Sequence, residues 1–329
     1  MKVFVTGATG FIGGHVVPRL LRDGHELVCL VRRPDAGARL RAQGAAVVAG
    51  DVTDRASVER ALPGCDCLVH LANVYSFWER DRSVYAKVNV EGTRHVMEGA
   101  LAARIPRVVH VSSCVVFGRP AQVPFTEASA PGPARFSEYA RTKHVGDLVA
   151  RELHERRGLP LTTIMPGAVV GPGDSKATGD YVRALLARRL PARVMEASVM
   201  TFVHVRDVAE AIARAAARDG LSGARFLVGA ERLTFGEVNR LVREIAGVPL
   251  PALAMPDWLA TAGAAALTAL SGLTGQPPPW GMSTDQIRTM KHGFAFDGGR
   301  AARELGFPYT PVRTAIEEMV AEARAAAGR

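Results

Sequence analysis

Cysteine is scarce in this chain of 329 residues, and its four copies, Cys29, Cys65, Cys67 and Cys114, form no C-x-x-C pair. That spacing argues against a zinc ribbon or a thioredoxin-like dithiol, and no metal site is expected. Three of the four lie in or beside apolar strand-like runs, where reduced core thiols are expected. Long apolar runs are also missing. The longest, residues 258–273, is alanine-rich, is broken by Gly263 and Gly272, and is short for a bilayer span. No leader precedes the first strand, so a cytoplasmic protein is expected. Acidic residues are outnumbered, 32 against 41 Lys and Arg, which gives a net charge of +9. The surplus is scattered, and aromatics make up only 6 % of the chain. A nucleic-acid partner is therefore not expected, and steering of an anionic cofactor explains the charge as well. Internal repeats and low-complexity linkers are absent, leaving one large or two modest domains.

What is present begins at once. Residues 3–5 form an apolar strand, Gly7, Gly10 and Gly13 follow at every third position, and a helical pattern continues through Phe11, Ile12, Val16, Val17, Leu20 and Leu21. A strand that turns on glycine into a helix N-terminus exposes backbone N–H groups and the positive end of the helix dipole, which suits a pyrophosphate. The first cofactor positions are thus Gly7, Thr9, Gly10, Phe11, Ile12 and Gly13.

Strands are expected over 26–31, 45–49, 67–71, 107–112 and 161–165, alternating with helices, one of them spanning 83–104. That alternation predicts an α/β fold of the Rossmann type, a doubly wound parallel sheet over residues 1–166. Residues 167–329 are expected to form mainly a smaller, partly interleaved substrate lobe, with 201–220 returning to the sheet. Dinucleotide folds that bind NAD commonly keep a carboxylate after the second strand; here Arg32 and Arg33 stand there and suit a 2′-phosphate. NADP(H) is the expected cofactor and NAD(H) the alternative. Asp51 and Val52 after the third strand, and Leu71, Ala72 and Asn73 after the fourth, are expected along the adenosine, while Thr53 or Asp54 caps the next helix. The Ala-rich helix from Trp258 is expected to pack in the core, with closure of the substrate pocket as the alternative.

Ser112 and Ser113 end the fifth strand, and Tyr139 and Lys143 lie one turn apart on the following helix. A phenol is a poor acid–base group at neutral pH, and a neighbouring ammonium is expected to lower its pKa toward the working range. In carbonyl reduction, a serine hydroxyl aimed at the carbonyl oxygen that the phenol protonates would hold it and stabilise its developing charge.

At these residues the chain resembles the extended short-chain dehydrogenase/reductase family. The matching pieces are Thr6-Gly-Ala-Thr-Gly-Phe-Ile-Gly13, Asn89-Val-Glu-Gly-Thr93, Val111-Ser-Ser-Cys-Val-Val-Phe-Gly118, Tyr139-x-x-x-Lys143, Gly171-Pro-Gly-Asp174 and Phe202-Val-His-Val-Arg-Asp-Val208. A weaker match follows at 299–307. The resemblance implies Tyr139 as acid/base, Lys143 as its tuner and ribose ligand, Ser113 as the catalytic hydroxyl, Asn89 as a structural residue and Pro166 beside the nicotinamide. Val31-Arg-Arg-Pro34 and the loop at 73–78 look most like the dihydroflavonol-reductase-like branch. Phe117, where sugar-nucleotide epimerases usually carry Tyr, and Arg206, where an acid is often seen, depart from the epimerase pattern. The expected enzyme is an NADPH-dependent reductase of a hydrophobic ketone or aldehyde. An NAD-dependent nucleotide-sugar epimerase or dehydratase and a non-catalytic dinucleotide sensor are the alternatives. Tyr75, Phe77, Trp78, Val115, Phe117 and Val169 are the substrate-pocket candidates, and homodimerisation is common in the family.

Overall fold

The computed structural model describes residues 1–327. Its strands are β1 (Lys2–Thr6), β2 (Glu26–Val31), β3 (Ala46–Ala49), β4 (Cys67–His70), β5 (Val108–Val111), β6 (Leu161–Pro166), β7 (Ala168–Val170), β8 (Val199–His204), β9 (Arg225–Val228) and β10 (Glu231–Thr234). The α-helices are α1 (Gly13–Arg22), α2 (Ala38–Ala42), α3 (Arg55–Ala61), α4 (Ser83–Ala86), α5 (Thr93–Ala102), α6 (Glu138–Arg157) and α7 (Ala177–Leu186). They continue with α8 (Val205–Ala217), α9 (Phe235–Ala246), α10 (Asp257–Thr274), α11 (Thr284–His292), α12 (Gly299–Leu305) and α13 (Val312–Ala327).

Seven strands pair in the order β3-β2-β1-β4-β5-β6-β9, all parallel. Parallel strands buried on both faces need helices on both sides, and the core is split accordingly. Val16, Val17 and Leu20 of α1 join Val208 and Ile212 of α8 and Leu305 of α12 on one face. Val58 of α3, Val96 and Met97 of α5 and Val149 of α6 cover the other. All four cysteines are free and buried. Burial pushes the Cys29, Cys67 and Cys114 thiols up to about 12, so they behave as inert packing groups.

Of residues 201–220, expected to return to the main sheet, α8 packs on it beside α1, but the strand before it does not pair with it. β8 runs parallel to β7 and antiparallel to β10 in a separate three-stranded sheet, and β9 closes the main sheet instead. His204 then caps α8, its Nδ1 accepting from the Arg206 N–H at 3.0 Å, while Asp207 accepts from Thr310 N–H at 2.7 Å. The Ala-rich helix α10 packs only a narrow face into a core, Ala260 and Ala264 against Met195 and Ile287. Trp258 is 71 % exposed, and only Ala260, Ala264 and Ser271 are buried along its length.

Between α4 and α5 the expected single helix takes an extra residue per turn, as a π-helical segment over Lys87–Gly92. It crosses α6 at Gly146, where a Cβ would fall 2.2 Å from the Asn89 carbonyl oxygen. Gly146→Ala must push the two helices apart, an overpacking cost of about 1–3 kcal/mol that a lower urea midpoint with unchanged slope would reveal.

Candidate active site

Because the strands are parallel, the turns after β1 to β6 all open on one edge of the sheet, and strand order reverses between β1 and β4. Ligands of open α/β sheets sit at such a crevice. Gly7 occupies it with φ +73°, and a Cβ there would lie 2.6 Å from the Ala72 nitrogen. At Gly13 a Cβ would lie 2.4 Å from the Gly7 carbonyl oxygen, so glycine alone lets α1 close on the turn. No side chain caps α1 and no acid stands in its first turn, which leaves the dipole for an anion. A dinucleotide fits this cradle. Thr9 and Gly10 are exposed at its rim, and Phe11 packs edge-on against His15 at 5.9 Å.

The adenosine-side candidates flank the same crevice. Arg32 and Arg33 are exposed after β2, and among the described residues neither is in an ion pair. One carboxylate oxygen of Asp51 accepts from the Thr53 N–H at 2.9 Å, and Asp54 caps α3. Val52 is buried against Gly92. Leu71 and Ala72 follow β4, and Asn73 donates back to the Leu71 carbonyl at 3.0 Å. Pro166 is buried at the end of β6.

Ser113, Tyr139 and Lys143 converge beyond β5 and β6. Ser137 caps α6, accepting from the Ala140 N–H at 3.1 Å, and so places Tyr139 in the first turn of that helix. The Ser113 hydroxyl lies within hydrogen-bonding reach of the Tyr139 phenol, whereas the buried Ser112 hydroxyl has no partner among the described residues. Lys143, 4 % exposed, donates from Nζ to the Val111 carbonyl at 2.9 Å. The expected lowering of the phenol's pKa is not seen: burial pushes Tyr139 up, against the Ser113 bond. Lys143 itself falls to about 8, because burial outweighs the opposing charge of Asp147.

Tyr75 and Phe77 stand edge-on to the Tyr139 ring at 5.2 and 5.9 Å, and 5.7 Å from each other. Val115 is buried in the same cluster. Phe117 lies in that cluster too, but it is fully buried, packed on Phe125 at 5.0 Å and under the Arg225 guanidinium. Val169 packs against the core beneath α1 and α8, and Trp78 joins no ring contact among the described residues, its backbone N–H and carbonyl both being bonded to the Ser76 hydroxyl.

Asn89, expected as a structural residue, and several residues that sequence reasoning passed over support this site. The Asn89 side chain accepts from the Val74 N–H at 2.7 Å and donates to the Thr142 hydroxyl at 3.1 Å, tying the 73–75 loop to α6. His70 bridges Thr6 at 2.7 Å and Thr93 at 3.2 Å. Thr93 donates to the Asn89 carbonyl, so His70 carries its proton on Nε2. Burial holds His70 down to about 3 and neutral, stacked on the equally buried His110. One turn beyond Lys143, the 3 % exposed Asp147 accepts from Arg225 at 3.0 Å. Lining up β4 and β5 by register pairs His70 with His110 and could have revealed that stack; Asp147 and Arg225 lie too far apart in sequence for any such signal. The surface clefts of about 260 and 200 Å³ include neither Tyr139 nor Lys143.

Residues 3–229 match the NAD dependent epimerase/dehydratase family. Sterol demethylase protein B of Methylococcus capsulatus is 34 % identical over 326 residues, 98 % of either chain. A putative dihydroflavonol 4-reductase of Synechocystis sp. is 28 % identical, covering 96 % of this chain and 93 % of its own. The crystal structure of DesIV, a dTDP-glucose 4,6-dehydratase from Streptomyces venezuelae with NAD bound, superposes with a TM-score of 0.79 at 26 % identity, over 100 % of this chain and 98 % of that one. A glycine cradle at the sheet's switch point, a Ser–Tyr–Lys cluster beside it and a family match over two thirds of the chain agree: this protein belongs to the NAD-dependent epimerase/dehydratase family and is an NAD(P)-dependent enzyme of the extended short-chain dehydrogenase/reductase type.

Proposed function

We propose that the protein is an NADPH-dependent oxidoreductase that reduces a ketone or aldehyde on a hydrophobic small molecule, or oxidises the corresponding alcohol. The observation that carries this reading is the aromatic wall: Tyr75 and Phe77 lean edge-on against the Tyr139 ring and give the phenol apolar neighbours. A nucleotide sugar would need free cations beside it. Of Arg183, Arg188 and Arg189, the first is engaged, donating to the Asp174 carbonyl and the Asp180 carboxylate, both at 2.7 Å, and the other two stand exposed just past α7. The names of the two sequence relatives, which refer to a sterol and a dihydroflavonol, point the same way.

The cofactor would rest on the Gly7–Gly13 turn, with Arg32 and Arg33 at its 2′-phosphate, Asp51, Val52 and residues 71–73 along the adenosine, and Lys143 and Pro166 toward the nicotinamide end. Bound there, it supplies or accepts the hydride. Tyr139 then gives its proton to the carbonyl oxygen; burial raises the pKa of its phenol and so keeps that proton in place at neutral pH. Ser113 donates a hydrogen bond to the same oxygen and stabilises the charge that develops on it. Lys143, one turn further along α6 and held on the Val111 carbonyl, keeps its positive charge up to about pH 8.

Assays with NADPH and a panel of cyclic and aryl-bearing ketones and aldehydes should show oxidation of the cofactor with several of them. Turnover of nucleotide sugars with that panel untouched would overturn the reading in favour of an epimerase or dehydratase. Arg32→Ala is expected to weaken NADPH binding by about tenfold to a hundredfold, the worth of hydrogen bonds to a charged group, and to leave NADH nearly unaffected. Equal loss for both cofactors in titrations would make Arg32 structural.

A further inference from the structure

From residue 245 to residue 284 the chain carries a single charged side chain, Asp257, in 40 positions, although 22 % of all residues are charged. Much of that stretch lies at the surface. Of the nine large apolar side chains exposed among the described residues, six are here: Leu253, Trp258, Leu259, Leu270, Leu273 and Trp280. Along α10 the outward residues Trp258, Ala262, Ala266, Leu270 and Leu273 recur at helical spacing, and Leu273 is 87 % exposed. The inward face carries small side chains, Ala260 and Ala264 against Met195 and Ile287, together with hydroxyls. Thr268 accepts from the Thr284 N–H at 2.9 Å where α10 packs on α11. A helix that docks hydroxyls and alanines inward and leucine and tryptophan outward inverts the ordinary amphipathic rule.

We propose that α10 is an interfacial helix by which the protein rests on the surface of a bilayer containing anionic lipid. Three features select this occupant. First, the surroundings are cationic: exposed Arg288 and Lys291 stand on α11, the Arg80 guanidinium lies beside Gly275, and none of the three is in an ion pair among the described residues. With a net charge of +9, the molecule is drawn to an anionic surface. Second, tryptophans bracket the aliphatic stretch, at Trp258 in the first turn and Trp280 just past the last, and their amphipathic rings favour the headgroup level. Third, the face is too small for a second copy. The 18 residues of α10 offer a strip about 27 Å long and about 10 Å wide, roughly 270 Å² per partner, where a stable interface takes about 800 Å². No helix among the described residues is long and apolar enough to cross a membrane, so α10 lies on the bilayer rather than through it. Docking would also bring lipid toward the carbonyl pocket, because Ser283, just beyond the Trp280 turn, donates to the Phe77 carbonyl at 2.9 Å. The proposal stands independently of the reaction assigned to that pocket.

The test uses the full chain with vesicles of phosphatidylcholine and phosphatidylglycerol in equal parts, and with phosphatidylcholine alone. The wild type should sediment with the mixed vesicles and less with the neutral ones. Trp258 and Trp280 should shift their fluorescence to the blue and be quenched by lipids brominated along the acyl chain. The double variant L270E/L273E, altered only at exposed positions, should lose at least tenfold in vesicle affinity. Quenching in the wild type reads the contact even if the variant is poorly folded. Absence of sedimentation and quenching overturns the proposal, as does unchanged binding by a folded variant. A concentration-dependent oligomer of the wild type that bars vesicle binding and is abolished in the variant overturns it too, and makes a second copy the occupant.

Discussion

Tyr139→Phe is expected to yield a folded protein that binds its cofactor but turns over about a hundredfold to ten-thousandfold more slowly, the range of general acid–base contributions. The substitution keeps the ring among Tyr75 and Phe77 and removes only the phenolic hydroxyl, so the fold should be retained. Burial keeps the phenol's pKa above its ordinary value of about 10, so this proton donor stays charged with its proton throughout the neutral range. Loss of wild-type activity as pH rises through about 8 therefore belongs to Lys143, whose cation disappears there, and not to the phenol. Near-normal steady-state turnover in the Phe variant would remove Tyr139 from the proposed role.

Asp147→Ala is expected to act twice. Removing the carboxylate strands Arg225, and breaking a buried pair costs about 3–5 kcal/mol. The Arg225 side chain keeps 19 % exposure and can reach water, which favours the lower end of that range. The same carboxylate opposes the burial that depresses Lys143. Without it the ammonium loses its proton at a lower pH, so the alkaline limb of the kcat profile moves to the acid side. Asp147→Glu should restore part of both effects. A destabilised variant whose pH profile does not move would make Asp147 a purely structural residue.

The half of the fold built from local signals was legible in the sequence. Glycines three apart after an apolar run, a serine at a strand end and a tyrosine one helical turn from a lysine each describe a few neighbouring residues. What escaped depends on partners distant along the chain. β8 reads as a strand, but its choice of β7 and β10 over the main sheet is a matter of register. Phe117 reads as a pocket residue until Phe125 and Arg225 are seen to enclose it. Apolar content could not tell a buried alanine-rich helix from the exposed α10, since only packing partners make that distinction. One omission was avoidable: Thr234 and Glu237 form a capping box that announces α9 three residues apart.

The inserted residue at Lys87–Gly92 bears on how such a catalyst changes hands. Asn89, on that bulge, grips the backbone of residue 74 by both its N–H and its carbonyl, and leaves the side chains of Tyr75 and Phe77 without a part in the grip. The segment proposed to line the substrate pocket is thereby anchored through atoms every amino acid possesses. Variation at positions 75–78, whether by natural drift or in a saturation library, can redraw the pocket while the phenol on α6 keeps its place. A library confined to those four positions, leaving residue 89 intact, is the economical starting point for giving this scaffold a new carbonyl.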